Sequence, residues 1–258
     1  MKSKILRWFP FIGLIFPGLS MAQDVDYEKR VFLASNGHEL PYRILFPAGY
    51  GQTDTAFPLL LFLHGAGERG DDNQAQLVHG GAFLREQNKH HPAIVVFPQC
   101  AASSYWIELE SEGSGKTRQL GFPFNEKGTP PMEAVQELLD SLLNTERVGK
   151  VYLGGLSMGA FGGFDLLARR PDTFEAAFLI CGGGNTLLAP LYAPHTRLWL
   201  FHGTEDSVVP VQYSQKMYEA LQEAGANVRY TEYPEVNHDS WNAAFAEPEL
   251  LNWLFAKP

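Results

Sequence analysis

The sequence predicts an α/β protein with a mostly parallel sheet of eight strands and helices on both faces. Three observations point there. Short apolar runs recur at 58–63, 93–98, 150–154, 175–181, 197–202 and 228–233. Helical patterns at 74–88, 130–146, 158–170 and 211–225 lie between them, with a last helix near 247–256. Short buried runs alternating with amphipathic helices form parallel sheets covered on both sides. Ahead of these, 29–35 and 39–46 flank Asn36-Gly37, a strong hairpin signal, so the chain opens with two antiparallel strands at the sheet edge.

A chain of 258 residues, 45% hydrophobic and 19% charged, buries a substantial core and fits one domain. Lys2, Lys4 and Arg7 precede an apolar stretch from Trp8 to Leu19, and Ser20-Met21-Ala22 supplies small residues before a cut ahead of Gln23. Residues 1–22 are therefore expected to be an export signal, leaving 23–258 as one α/β domain in the periplasm or outside the cell. The stretch is too short to span a bilayer and is interrupted by Pro10 and Pro17, so no stable membrane anchor is expected after its removal. The full chain carries a net charge of −9, and losing three basic residues with the signal leaves −12. Such an acidic surface repels nucleic acid and anionic membranes. Neither cysteine sits in a C-x-x-C or Cys/His cluster, and His90-His91 has no carboxylate or thiol neighbour in sequence, so neither a metal nor a cofactor is expected. Gly113-Ser-Gly-Lys-Thr117 superficially resembles a phosphate-binding loop. The glycine that motif needs is Glu110 here, and no apolar strand precedes it.

The most informative stretch is Gly155-Leu-Ser157-Met-Gly159, which follows a strand-like run and leads into a helical pattern. A serine at such a turn is held in a strained geometry that pushes its Oγ out of the sheet, and it reads as a nucleophile. The run 197–201 ends in His202-Gly-Thr-Glu-Asp206, and the run 227–233 is followed by Pro234-Glu-Val-Asn-His238. Ser157, Asp206 and His238 thus stand in the order nucleophile, acid, base, each beyond the carboxyl end of a strand, where ligands of parallel sheets bind. Glu205 is the rival acid. Leu59–Leu63 opens into His64-Gly-Ala66-Gly67, a glycine-rich loop able to aim N–H groups at a developing oxyanion.

Taken together, LFLHGAGERGDDN (61–73), GLSMGAFGG (155–163), HGTEDSVVPVQYS (202–214) and NHDSW (237–241) resemble the α/β-hydrolase esterases grouped with dienelactone hydrolase, feruloyl and polyhydroxybutyrate-depolymerase-like esterases, and prolyl-oligopeptidase-type catalytic domains. The resemblance covers about residues 28–256 and implies the α/β-hydrolase fold. It implies Ser157 as nucleophile, Asp206 as acid, His238 as base, and the N–H groups of Ala66 and Met158 as oxyanion donors. Position 160 is Ala where relatives often carry Gly, and dienelactone hydrolase itself uses a cysteine, so Ser157 argues against that activity. In the strand order the family implies, Cys100 and Cys181 lie three strands apart. That is about 14 Å, too far for a disulfide, and two free, mostly buried thiols are expected.

No long insertion lies between 182 and 196, so the site is expected to be open, without a large cap. The long irregular stretch 99–131 carries Tyr105, Trp106, Phe122 and Phe124. Tyr105 and Trp106 are expected in one wall of the substrate pocket and Trp241 in another. These features favour a secreted serine carboxylic-ester hydrolase acting on small, aryl or carbohydrate-linked esters through an acyl-enzyme. The alternatives are a serine peptidase of the prolyl-oligopeptidase type and a non-catalytic binding protein on a hydrolase scaffold. The peptidases usually carry a second domain that sorts peptides, for which no segment is seen. The sequence leaves the oligomeric state open.

Overall fold

A computed structural model describes residues 26–256; residues 1–22, expected from the sequence to be an export signal, lie outside the described residues. Eight strands form one sheet: β1 (Glu28–Leu33), β2 (Glu39–Leu45), β3 (Phe57–Leu63), β4 (Ile94–Pro98), β7 (Val148–Leu156), β8 (Phe174–Ile180), β9 (Arg197–Gly203) and β10 (Val228–Tyr233). Their order is β1-β2-β4-β3-β7-β8-β9-β10. β2 runs antiparallel to both β1 and β4, and every other pairing is parallel. The antiparallel pair therefore occupies the edge that the Asn36-Gly37 signal predicts, although the connection is wider than a two-residue turn and spans Ala34 to His38.

Alternation along β3 shows how the sheet is covered. Leu59, Leu61 and Leu63 enter a core shared with α2 (Pro130–Thr145), α3 (Met158–Arg169) and α5 (Gln212–Glu223), whereas Leu60 and Phe62 enter a second core. That second core is built with α1 (Gly81–Gln87), α6 (Trp241–Phe245) and α7 (Leu250–Phe255). Successive side chains on a strand point to opposite faces, so one apolar run needs a helical layer on each side. Helix α2 starts where Thr129 accepts the Met132 N–H on its side chain and Pro130 and Pro131 occupy the first helical positions, where a missing N–H costs nothing.

Four local features depart from the sequence pattern. The pattern 74–88 divides into a 3-10 turn, Ala75–Leu77, and α1, with left-handed Gly80 between them. Within 99–131 a small hairpin forms from β5 (Glu110–Glu112) and β6 (Gln119–Gly121). The short helices α4 (Ala189–Tyr192) and α6 are too brief for a periodic signal. Cys100 and Cys181 are free and buried at the ends of β4 and β8, three strands apart in the sheet as expected. Among the described residues no helix is long and apolar enough to cross a membrane.

Candidate active site

Ser157 sits between β7 and α3 at φ 52° and ψ −117°, a conformation that L-residues rarely adopt. The glycines of the motif make that turn possible. A Cβ at Gly159 would lie 1.9 Å from the Leu63 carbonyl oxygen, and one at Gly155 would lie 2.5 Å from that of Gly159. No side chain fits at either position. The Ser157 N–H donates to the Ile180 carbonyl of the neighbouring strand, which ties the turn to the sheet.

The three residues expected to act together are brought together. Ser157 Oγ lies 2.9 Å from His238 Nε2, and His238 Nδ1 lies 2.8 Å from Asp206 Oδ2. Asp206 is buried, and its Oδ1 accepts the N–H groups of Val208 and Val209, each at 2.8 Å. Burial opposes its charge, but hydrogen bonds from His202 and His238 outweigh that penalty and hold its carboxyl well below the usual carboxylate range. An ionised carboxylate facing Nδ1 fixes His238 with its proton on Nδ1 and a lone pair on Nε2 aimed at the serine. The rival Glu205 is exposed and its N–H bonds to Val236, whereas Asp206 turns inward to meet His238.

Met158 opens α3, where the first N–H groups of a helix lack an intrahelical acceptor. Ala66 opens the 3-10 turn Ala66–Glu68 beyond β3. This loop lies against the nucleophile, since a Cβ at Gly65 would be 3.6 Å from Ser157 Cβ. His64 anchors it. Its Nε2 accepts the Cys100 N–H at 3.0 Å and its Nδ1 donates to the Gly65 carbonyl at 2.6 Å. Burial pushes His64 down to about 4, so the ring stays neutral, as an Nε2 that accepts a hydrogen bond requires.

The wall residues separate into two kinds. Trp106 is a correction: it is fully buried, and its indole N–H donates to the His64 carbonyl at 3.0 Å. A large ring with one polar edge is better used beneath the loop than in an open wall, so Trp106 braces the loop and does not line the pocket. Tyr105 is 41% exposed, with the Arg69 guanidinium 4.2 Å above its ring. Trp241 meets the His238 ring edge-on at 5.6 Å and the His79 ring at 4.7 Å. Phe122 packs on Phe161, one turn into α3 from Ser157, and on Tyr213 of α5. Between the β5-β6 hairpin and the loop after β8 runs an open cleft of about 340 Å³, lined by Leu120, Phe122, Asn185, Leu187, Tyr213 and Lys216.

Cys181, Asp206 and His238 bring potential ligand atoms within 4.8 Å of one another. Burial raises the Cys181 thiol far above its usual range, so it stays protonated, and Asp206 and His238 are engaged with each other. Cysteine ligates a metal as its thiolate, so a protonated Cys181 beside an Asp206–His238 pair engaged with itself is a poor donor set for a divalent ion.

A sequence profile of the phospholipase/carboxylesterase group of α/β-hydrolases matches residues 51–248. The chain belongs to this family. Its sheet order and helical layers are those of the α/β-hydrolase fold, and the family is one of esterase- and thioesterase-type hydrolases. The chain is 24% identical over 230 residues to acyl-protein thioesterase 1 of Gibberella zeae, covering 80% of this chain and 91% of that protein. Among solved structures it is similar to a thermostable esterase, with 33% identity and a TM-score of 0.79 over 89% of this chain. The aligned part spans 62% of that esterase's length. A ferulic acid esterase shares the fold at 16% identity, with a TM-score of 0.65 over 89% of this chain and 96% of its own.

Sequence reasoning passes over two histidines. His64 and His202 both stand in the motifs quoted above, yet neither receives a role there. The signal that could have singled them out is the repeated His-Gly at the carboxyl ends of β3 and β9.

Proposed function

We propose that this chain is a serine carboxylesterase that works through an acyl-enzyme on Ser157. The observation that carries this reading is the continuous chain of hydrogen bonds Ser157–His238–Asp206, at 2.9 and 2.8 Å, built on a strained serine. As Ser157 Oγ attacks the ester carbonyl carbon, its proton passes to His238 Nε2, and the carbonyl π pair moves onto oxygen. The N–H groups of Ala66 and Met158 stabilise that oxyanion, each contributing about 3 kcal/mol. Collapse expels the alcohol, which takes the proton from His238. Water then attacks the acyl-enzyme with His238 again as base, releasing the acid and restoring Ser157.

The substrate class follows from the rim. Tyr105, Phe122 and Trp241 supply aromatic faces near the site, and among the described residues no long insertion follows β8, which favours small, aryl or carbohydrate-linked esters over long acyl chains. Export of residues 23–258 to the periplasm or beyond, directed by the composition of 1–22, belongs to the same reading. A thioester is the second substrate class, favoured by the 24% identity with an acyl-protein thioesterase; the acyl-enzyme is the same and only the leaving atom differs.

The test is hydrolysis of nitrophenyl acetate, butyrate and octanoate, methyl ferulate, a matched acyl thioester and an aminoacyl anilide by wild type and Ser157→Ala. Oxygen-ester turnover that disappears in the variant is the expected result. Preference for the thioester moves the assignment to a thioesterase, and preference for the anilide to a peptidase. Inertness throughout, together with no labelling of Ser157 by a fluorophosphonate, overturns catalysis altogether.

A further inference from the structure

The His202 imidazole at the end of β9 has no solvent exposure, touches no substrate space and yet meets the candidate acid. Its Nε2 lies 2.9 Å from the Val209 carbonyl oxygen and 3.2 Å from Asp206 Oδ2. Neither partner can donate, so Nε2 carries a proton whatever the charge of the ring. Its Nδ1 faces Ser214 Oγ at 2.7 Å, and that hydroxyl lies 2.9 Å from the Gly182 carbonyl. The ring is thus held from α5, from the loop after β8 and from the 206–209 turn.

Asp206 Oδ2 consequently sits between two imidazoles: it accepts the His238 Nδ1–H at 2.8 Å, and His202 Nε2, hydrogen-bonded to the Val209 carbonyl, lies 3.2 Å from it. A neighbour held rigidly on one side of a carboxylate oxygen limits how the carboxylate can turn. We propose that His202 is a positioning residue for Asp206: held by Val209 and Ser214, it fixes the carboxylate toward His238. This rests on reading Ser157, His238 and Asp206 as the catalytic set. The other ionisable groups around the pair stay in place when His202 is changed. Cys181, at the end of β8, keeps its proton because of burial. Asp239 adjoins His238, Glu205 adjoins Asp206 on the exposed side, and His79, 3.6 Å from Glu68, faces His238 across Trp241.

The experiment compares wild type, His202→Phe, His202→Gln and Ser157→Ala in pH profiles of kcat/KM and kcat for nitrophenyl acetate. Phe fills the space without a donor, whereas Gln carries an N–H to the ε position. His202→Phe is expected to lower plateau kcat about tenfold to a hundredfold with KM nearly unchanged. His202→Gln is expected to recover most of that loss. A folded His202→Phe with wild-type kcat, or a loss that His202→Gln does not recover at all, overturns this inference alone. Turnover surviving in Ser157→Ala overturns the catalytic reading and this inference with it. Should neither His202 variant fold, the imidazole ¹⁵N spectrum of the wild type decides. A proton resident on His202 Nε2 across the pH range is expected, and an Nδ1–H tautomer of that ring overturns the proposal.

Discussion

His64-Gly65 closes β3 and His202-Gly203 closes β9, the same dipeptide at the same end of two strands that run in parallel, and both rings are buried. Their nitrogens point to different chemistry. At β3 the Nε2 receives a backbone N–H and nothing charged is bonded to the ring, so burial dominates, with the Arg69 charge adding to it, and the imidazole is pushed down to about 4. At β9 the Nε2 must donate, because a carbonyl and a carboxylate face it. The first histidine is a neutral brace for a loop, and the second stands beside the carboxylate that faces the candidate base. One residue type in one position thus takes two roles, decided by what the adjacent turn places against its ε nitrogen.

The comparison is tested hardest at the residues the two histidines support. Ser157→Ala and His238→Ala are each expected to lower kcat by about 10⁶, with the double variant losing little more, because they act as a unit; burst and steady-state rates check this. On the β9 side, Asp206→Asn is expected to cost about 10⁴ in kcat by favouring the wrong His238 tautomer. Glu205→Ala should leave kcat within a factor of about three, and equal losses at the two positions would break the assignment of the acid.

On the β3 side, Trp106→Phe removes the indole donor to the His64 carbonyl. It is expected to cost about 1–2 kcal/mol in urea unfolding and to lower kcat severalfold as the oxyanion loop loosens. His64 also makes a prediction about stability. Its folded value of about 4 lies below the roughly 6.5 of an unfolded chain, so between those values the unfolded state binds more protons and stability falls as pH drops from about 6.5 to 4. His64→Gln, whose side-chain oxygen can still accept the Cys100 N–H, should flatten the dependence of Tm on pH across that window. The smallest effect is expected at the rim: Tyr105→Ala or Trp241→Ala should change the ratio of kcat/KM for methyl ferulate over nitrophenyl acetate by a factor of about three to ten.

The sheet, its antiparallel edge and the positions of Ser157, Asp206 and His238 were legible because each is written locally, as an apolar run followed by a motif at its carboxyl end. Asp206 could be preferred to Glu205 only through the His-Gly-x-x-Asp spacing of the family it resembles; the physical reason is that Val208 and Val209 donate to a carboxylate turned inward. Trp106 was misplaced because its role depends on a contact with His64, 42 residues away, that no local pattern encodes. The same holds for His202, whose partner Ser214 lies on a different element. The β5-β6 hairpin escaped notice because its strands are three residues long and polar, below what periodicity resolves.

The segment that carries Phe122 and the β5-β6 hairpin is pinned at both ends through backbone oxygens. Trp106 holds the His64 carbonyl, and the Thr129 hydroxyl donates to the carbonyl of Trp106 just before α2 begins. Between those fasteners Ile107 is buried in the core and Phe122 packs on Phe161 and Tyr213, whereas 110–114, at the outer end of the β5-β6 hairpin, is exposed. In evolutionary terms that tip is the replaceable part. A library confined to 110–114 would vary the neighbourhood of the cleft with little risk to the fold.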